Sequence, residues 1–303
     1  MKQLIFSLMV LALGLASCKV DSEQDRINAR ADLQIQQYLA AQKLSLQKTS
    51  SGLYYSIQPG NVPNARSPKD IEEVGIYQVT YRIADGLVID STEKSRKEPE
   101  YFIFNNGARI AGIEEALALM KEGDKATLVI PPQLGFGANA LTKLPPNSVI
   151  RMDIQLVSTT NEEDRILNYI AANKLVVTAK TDTVRVVKLK TTADTNKIIN
   201  GKTIKINYTG KLLRNVRRFA NETSYYVNQF DSGTIDVVLG GNKVVAGFEA
   251  GIKKLKLGEK GIVLFPSVYG YGGTGSSPRS TSSAGIPAYS PLAFEIELVS
   301  VVK

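Results

Sequence analysis

The sequence predicts an α+β fold built from two tandem copies of one unit, each an antiparallel β-sheet wrapped around a short α-helix and each preceded by a helical segment. Three observations predict it. With 303 residues, 43% of them hydrophobic, the chain can bury two ordinary cores, because single domains cluster near about 100 to 150 residues. The stretch "QQYLAAQKLSLQKTSSGLYYSI" (36–57) lines up without a gap, 131 residues further on, with "LNYIAANKLVVTAKTDTVRVVK" (167–188): Tyr38 meets Tyr169, Ala40 and Ala41 meet Ala171 and Ala172, and Lys43 and Leu44 meet Lys174 and Leu175. The strands that close each copy alternate with period two, Ile150, Met152, Ile154 and Leu156 in one and Leu292, Phe294, Ile296 and Leu298 in the other, as an antiparallel sheet with one covered face requires.

Each element follows from local pattern. Ile35, Tyr38 and Leu39 have helical spacing in the first copy, as do Ile166 and Ile170 in the second, where Thr160 with Glu163 reads as a capping box. Period-two strands follow, with Tyr77, Val79 and Tyr81 on one face of the first and Ile204, Ile206 and Tyr208 on one face of the second. The covering helix of the first copy carries the stripe Ile113, Leu117, Met120 and is expected to stop at Gly123. That of the second carries Phe248, Ile252, Leu255, with Glu249 at its positive start, Lys253, Lys254 and Lys256 at its negative end, and Gly258 as its stop. The expected division is a signal segment over 1–17, a helical segment over 18–50, a first domain over 51–158, a connecting helix over 159–179 and a second domain over 180–303.

Composition narrows the chemistry. Histidine is absent, which removes histidine-based triads, histidine-ligated metals and the usual proton shuttle near neutral pH. The single cysteine, Cys18, can form neither an intramolecular disulfide nor a multi-thiolate metal site, so no metal or cofactor is expected. An apolar run from Leu4 to Leu15 has the length of a secretory signal core and is too short to span a bilayer comfortably. It ends in Leu15, Ala16, Ser17, Cys18, which resembles the lipobox of bacterial lipoproteins and implies lipidation of Cys18; the bland alternative is an ordinary signal peptide that happens to carry a cysteine. The net charge of +8 is scattered among acidic neighbours, so nucleic-acid binding would rest on charge alone and is not expected. The one dense cluster, "RNVRR" (214–218), reads as a solvated hairpin.

Five segments of the second copy carry a family resemblance: "INYTGKL", "FDS", "LGGNKVVAGFEAGIKKLKLGEKG", "PSVYGYG" and "IPAYSPLAFEIEL", in order between Ile206 and Leu298. Together they resemble an FKBP-type peptidyl-prolyl cis-trans isomerase domain, and "VTYR", "IDS", "GARIAGIEEALALMKEGDK", "IPPQLGFG" and "LPPNSVIRMDIQL" repeat the series more weakly in the first copy. The implied reaction suits a chain without imidazole, because turning an X-Pro bond makes and breaks no covalent bond. Resonance sets its barrier at about 18 to 20 kcal/mol, and about four decades of acceleration need only about 5 to 6 kcal/mol. An apolar, water-free pocket disfavours the planar amide more than the twisted one, which has lost conjugation and part of its dipole.

By resemblance, the second copy builds this pocket from Tyr208, Phe230, Asp231, Val244, Val245, Phe248, Tyr271, Ile286 and Phe294. Phe248 is its floor, the Val245 N–H and Tyr271 hydroxyl hold substrate carbonyls, and Asp231 lies beside the Tyr208 hydroxyl. The matching positions in the first copy are Tyr81, Ile89, Asp90, Ile110, Ile113, Phe136, Leu144 and Met152, a degenerate pocket in which the floor has lost its ring and Phe136 has no hydroxyl to donate. The second copy also holds an insertion over 214–228. The implied partners are proline-containing unfolded or exported polypeptides, with the membrane reached through a lipid on Cys18, in the bacterial cell envelope at the outer membrane or facing the periplasm. The leading helices offer a route to a homodimer. The competing reading is a peptide-binding chaperone or scaffold that holds such segments without turning them.

Overall fold

The computed structural model describes residues 22–92, 99–193, 198–220, 223–278 and 284–302, with the backbone path alone for 216–220, 223–226 and 302. The expected signal segment and Cys18 lie outside the described residues. In the first repeat the elements are α1 (Glu23–Gln42), β1 (Gln47–Lys48), β2 (Tyr54–Gln58), β3 (Glu73–Arg82), β4 (Val88–Ser91), β5 (Glu100–Ile103), α2 (Ala111–Ala118), β6 (Lys125–Ile130) and β7 (Ile150–Thr160). In the second they are α3 (Glu162–Ala172), β8 (Ala179–Thr181), β9 (Val184–Lys190), β10 (Thr203–Ala220), β11 (Thr223–Val238), α4 (Ala246–Ile252), β12 (Lys260–Phe265) and β13 (Leu292–Val302).

Both sheets are antiparallel and share one topology. The first runs β1-β2-β6-β7-β3-β4, with β5 also on β3, and the second runs β11-β10-β13-β12-β9-β8. Thus β9, β12, β13 and β10 occupy the places of β2, β6, β7 and β3, while the single strand β11 does the work of β4 and β5 together. Each sheet buries two faces. On one, α2 or α4 lies against the closing strand, so that Ile150, Met152, Ile154 and Leu156, like Leu292, Phe294, Ile296 and Leu298, are all buried as their alternation demands. On the other, Ala31, Ile35 and Leu39 of α1 cover Tyr54, Val129 and Val149, and Ile166 of α3 covers Leu264 and Ala293. The apolar stripe of α1 is therefore spent on its own sheet.

Several local expectations shift. The capping box of α3 is Asn161 with Asp164, one residue beyond Thr160 with Glu163, because β7 keeps Thr160 in its ladder with Glu73. The covering helices end at Ala118 and Ile252, well before Gly123 and Gly258, which turn the following loops at φ +90° and +79°. Met120 and Leu255 thus pack from the loops that follow the helices. The largest correction concerns β3. Its buried face carries Ile76, Gln78 and Thr80, while Tyr77, Val79 and Tyr81 lie on the half-buried side. Ile76 stands opposite Leu156, as Ile206 stands opposite Leu298, so Gln78 holds the place of Tyr208 and Thr80 that of Gly210. The motif "VTYR" invited a match three residues out of step, and an odd slip in a strand turns every side chain to the other face. The 214–228 insertion extends the β10–β11 hairpin, whose pairing resumes at Val216 with Val227 and continues to Ala220 with Thr223.

Candidate active site

In the second repeat a bulge does the first positioning. Lys211 pairs with Gln229 and Gly210 with Asp231, leaving Phe230 as an extra residue between them. Such a bulge re-aims side chains, and here Phe230 is buried in the core while the neighbouring Asp231 accepts a 2.8 Å hydrogen bond from the Tyr208 hydroxyl. Around that pair the rings stand edge to face: Phe248 and Phe294 have centroids 4.9 Å apart, Phe230 and Phe294 5.4 Å, and Tyr208 and Phe248 5.9 Å. Phe265, which the sequence reading did not single out, stacks on Phe294 at 5.8 Å and is fully buried. Its signal was the strictly apolar end of β12.

The remaining expected residues join the same cluster. Ile286 is buried, and Val244, Val245 and Tyr271 are half-buried against it. Val245 is the N-cap of α4, in extended conformation at φ −62° and ψ 146°, and its carbonyl accepts from Phe248 and Glu249 at 3.0 and 3.2 Å. Eight of the nine expected residues thus belong to the core cluster of the second repeat or pack against it, and Asp231 joins them through Tyr208. Gly210 makes the ring packing feasible: a Cβ there would lie 2.5 Å from the Phe230 ring and 2.8 Å from Phe294.

The first repeat keeps the scaffold and loses the rings. The same bulge recurs, with Thr80 paired to Asp90, Tyr81 to Val88, and Ile89 left over. Asp90 accepts from Gln78 Nε2 at 2.7 Å where Asp231 accepts from Tyr208, and the Thr80 hydroxyl donates to Gln78 Oε1 at 2.6 Å. Ile110 caps α2 as Val245 caps α4, with φ −65° and ψ 142°. A cavity of about 480 Å³ opens here, lined by Ile89, Asp90, Ile110, Ile113, Phe136, Leu144 and Met152, seven of the eight expected positions. The eighth, Tyr81, does not line it: on the opposite face of β3, its ring lies 5.7 Å beneath the Arg151 guanidinium. Gln78, Thr80 and the Arg109–Glu100 ion pair line it instead. Arg109 also lies 4.4 Å over the Phe102 ring. Sequence reasoning missed Gln78 and Thr80 because their face of β3 does not read as apolar, and matching Asp90 to Asp231 could not locate Gln78, which lies 12 positions before its aspartate where Tyr208 lies 23 before its own.

The two repeats also differ electrostatically behind the cleft. Glu249, one turn into α4, is held below the usual carboxylate range by its ion pair with Lys253 at 2.7 Å, helped by the Gly240 N–H against a smaller opposing effect of burial. Glu114 occupies the same place in α2, where no basic residue follows at the i+4 position. Burial pushes its carboxyl up, only partly offset by the Asn105 N–H, and its Oε1 is buried without a partner. A carboxyl whose folded pKa lies above its unfolded value weighs on the fold at neutral pH and is relieved as pH falls through the folded value. Glu114→Gln is therefore expected to melt above the parent at pH 7, with the gap closing toward about pH 4. Melting curves across that range check this, and a gap independent of pH would refute it.

Comparison with known proteins gives the same picture for both repeats. The family model described as "FKBP-type peptidyl-prolyl cis-trans isomerase" matches residues 65–157 and 194–299. The chain is 26% identical over 230 residues to the human protein "Peptidyl-prolyl cis-trans isomerase FKBP9", covering 75% of this chain and 34% of that protein. It thus spans about a third of the length of that relative. It is 34% identical over 114 residues to "FKBP-type peptidyl-prolyl cis-trans isomerase FkpA" of Buchnera aphidicola subsp. Schizaphis graminum, covering 38% of this chain and 43% of that one. Among solved structures it is similar to the three FKBP domains of wheat FKBP73, with 25% identity, 86% of this chain and 99% of that chain covered, and a TM-score of 0.36. FkpA from Escherichia coli gives 27% identity, 45% and 64% coverage and a TM-score of 0.36. With both repeats matched across more than half of its length, the chain belongs to the FKBP-type peptidyl-prolyl cis-trans isomerase family.

Proposed function

We propose that this protein accelerates rotation about prolyl peptide bonds in unfolded or exported polypeptides, and that the second repeat is the working site. The observation that carries the reading is the Tyr208–Asp231 hydrogen bond at 2.8 Å, with the Tyr208 ring edge to face on Phe248 in the ring cluster of Phe230, Phe248 and Phe294. A prolyl ring laid on those rings loses water, and the amide beside it then rotates in surroundings that do not stabilise its planar dipole. The Tyr271 hydroxyl and Val245 N–H are the groups we assign to the flanking carbonyls, where a donor that strengthens its bond in the twisted state lowers the barrier.

A protease-coupled isomerisation assay on the chain from Lys19 onward tests this. Tyr271→Phe is expected to lower kcat/KM by about three- to tenfold, the worth of one hydrogen bond, while leaving the melting temperature close to that of the parent. A parent chain without acceleration sinks the isomerase reading, and an unchanged Tyr271→Phe variant sinks that residue's role.

A second reading holds for the first repeat. Its open cavity lacks the three rings, so we assign it the holding of polypeptide without rotation. We further propose that Cys18 bears a lipid that tethers the protein in the bacterial envelope, on the strength of the Leu15, Ala16, Ser17, Cys18 sequence. Intact-mass measurement of the membrane-extracted protein decides it. A homodimer would have to form elsewhere than on the α1 stripe, which its own sheet covers, and sedimentation of the soluble chain tests for one.

A further inference from the structure

Between the repeats, charged groups converge on the first turn of α3. Glu73 of β3, buried in the first repeat, accepts from Arg214 of the second at 3.1 Å (Nε) and 2.7 Å (Nη2), and forms an ion pair with Arg165 of α3 at 3.3 Å. The Arg214 guanidinium lies 4.6 Å over the Tyr101 ring of β5, so the root of the hairpin insertion rests on the first repeat and is not simply solvated, contrary to the expectation from "RNVRR". Arg66 of the first repeat pairs with Asp164 of the same turn at 2.8 Å.

The other side of that turn holds the loops of the second repeat's cleft. Arg165 Nη1 donates to the Tyr289 carbonyl at 2.9 Å, and Tyr289 in turn donates its N–H to the Gly272 carbonyl at 2.9 Å. Glu162 accepts from the Ser267 N–H at 2.5 Å and the Ser267 hydroxyl at 2.6 Å. These contacts bracket Tyr271 and follow Ile286 by three residues. A single side chain, Arg165, thus touches Glu73 in one repeat and the loop of the site in the other.

We infer that Glu73 of the first repeat is a positioning residue for the second repeat's cleft, acting through Arg165 to seat the loops that carry Tyr271 and Ile286. This rests on the second repeat being the working site. It gives the first repeat a task that needs no chemistry of its own: it is the abutment against which α3 and the hairpin root are braced. Without the Glu73 carboxylate, the largely buried Arg165 guanidinium loses its ion pair where little water can replace it, and Arg165 turns away from Tyr289.

The test uses the full soluble chain with Glu73→Gln and, because a buried substitution risks misfolding, Arg165→Lys as a second variant. Hydrogen exchange at the Tyr289 and Ser267 amides is expected to quicken by about three- to tenfold in both, with the β12 and β13 amides unchanged. In the isomerisation assay KM is expected to rise by a similar factor with kcat held within about twofold, since loop seating affects capture more than rotation. Unchanged exchange at Tyr289 in a folded variant overturns the inference and leaves the isomerase reading standing. Inactivity of the parent chain overturns that reading, while the exchange result still decides the mechanical coupling.

Discussion

Phe248→Ala is expected to destabilise the second repeat by about 3 to 5 kcal/mol, the usual consequence of removing a buried ring from a packed core. Phe248 is 2% exposed, and its ring touches both Tyr208 and Phe294 edge to face. Because so large a loss confounds stability with function, Phe248→Leu is the cleaner probe. It keeps most of the volume, at a cost below about 1.5 kcal/mol, yet removes the aromatic face, so kcat/KM is expected to fall by about three- to tenfold in a folded protein. Denaturant unfolding with the isomerisation assay measures both. If the leucine variant turns over as the parent does, the rings serve only to fill the core and the assignment of a floor to Phe248 fails.

Gly210→Thr is expected to do comparable damage by the opposite route. A Cβ at this position would lie 2.5 Å from the Phe230 ring and 2.8 Å from Phe294, so both rings must move to admit it. Overpacking of this kind costs about 1 to 3 kcal/mol, and a displacement of reacting groups by about an ångström lowers turnover by about ten- to a hundredfold. The first repeat shows why the position is informative. Thr80 stands there opposite Met152, buried at 4% exposure, and is accommodated because Ile89 replaces the ring of Phe230. The threonine is thus compatible with the strand and incompatible with the rings. A Gly210→Thr protein with parental melting and parental kcat/KM would show that the aromatic walls are not where the work is done.

The contrast between the repeats shows what a mis-set register hides. The closing strands and the apolar stripes of the covering helices are marked by strong local pattern, and each was legible; Asp90 and Asp231 match through the shared motif, and the N-caps at Ile110 and Val245 come from the structure. The β3 strand was not legible. Two of its three cleft-facing positions are polar, and it carries a tyrosine, Tyr81, on the wrong face, so similarity of letters outvoted alternation. Only the pairing of Ile76 with Leu156 and of Thr80 with Met152 shows that Gln78 stands where Tyr208 does. The difference between the copies is then larger than the expected loss of the floor ring, the two wall rings at Ile89 and Met152, and a hydroxyl: the first repeat has an amide and a threonine where the second has a phenol and a bare backbone.

What the sequence by itself determined is the repeat, the two cores and the α+β class, because each is written in spacing that a strand or helix converts directly into a face; the nine residues assigned to the second repeat came from the family resemblance and not from spacing. Tertiary structure alone decided the register of β3, the open cavity of the first repeat and the joint at Glu73, Arg165 and Arg214. Those depend on which residues stand opposite one another across strands and between repeats, at sequence separations up to 141 positions, and local periodicity carries no information about partners so far away.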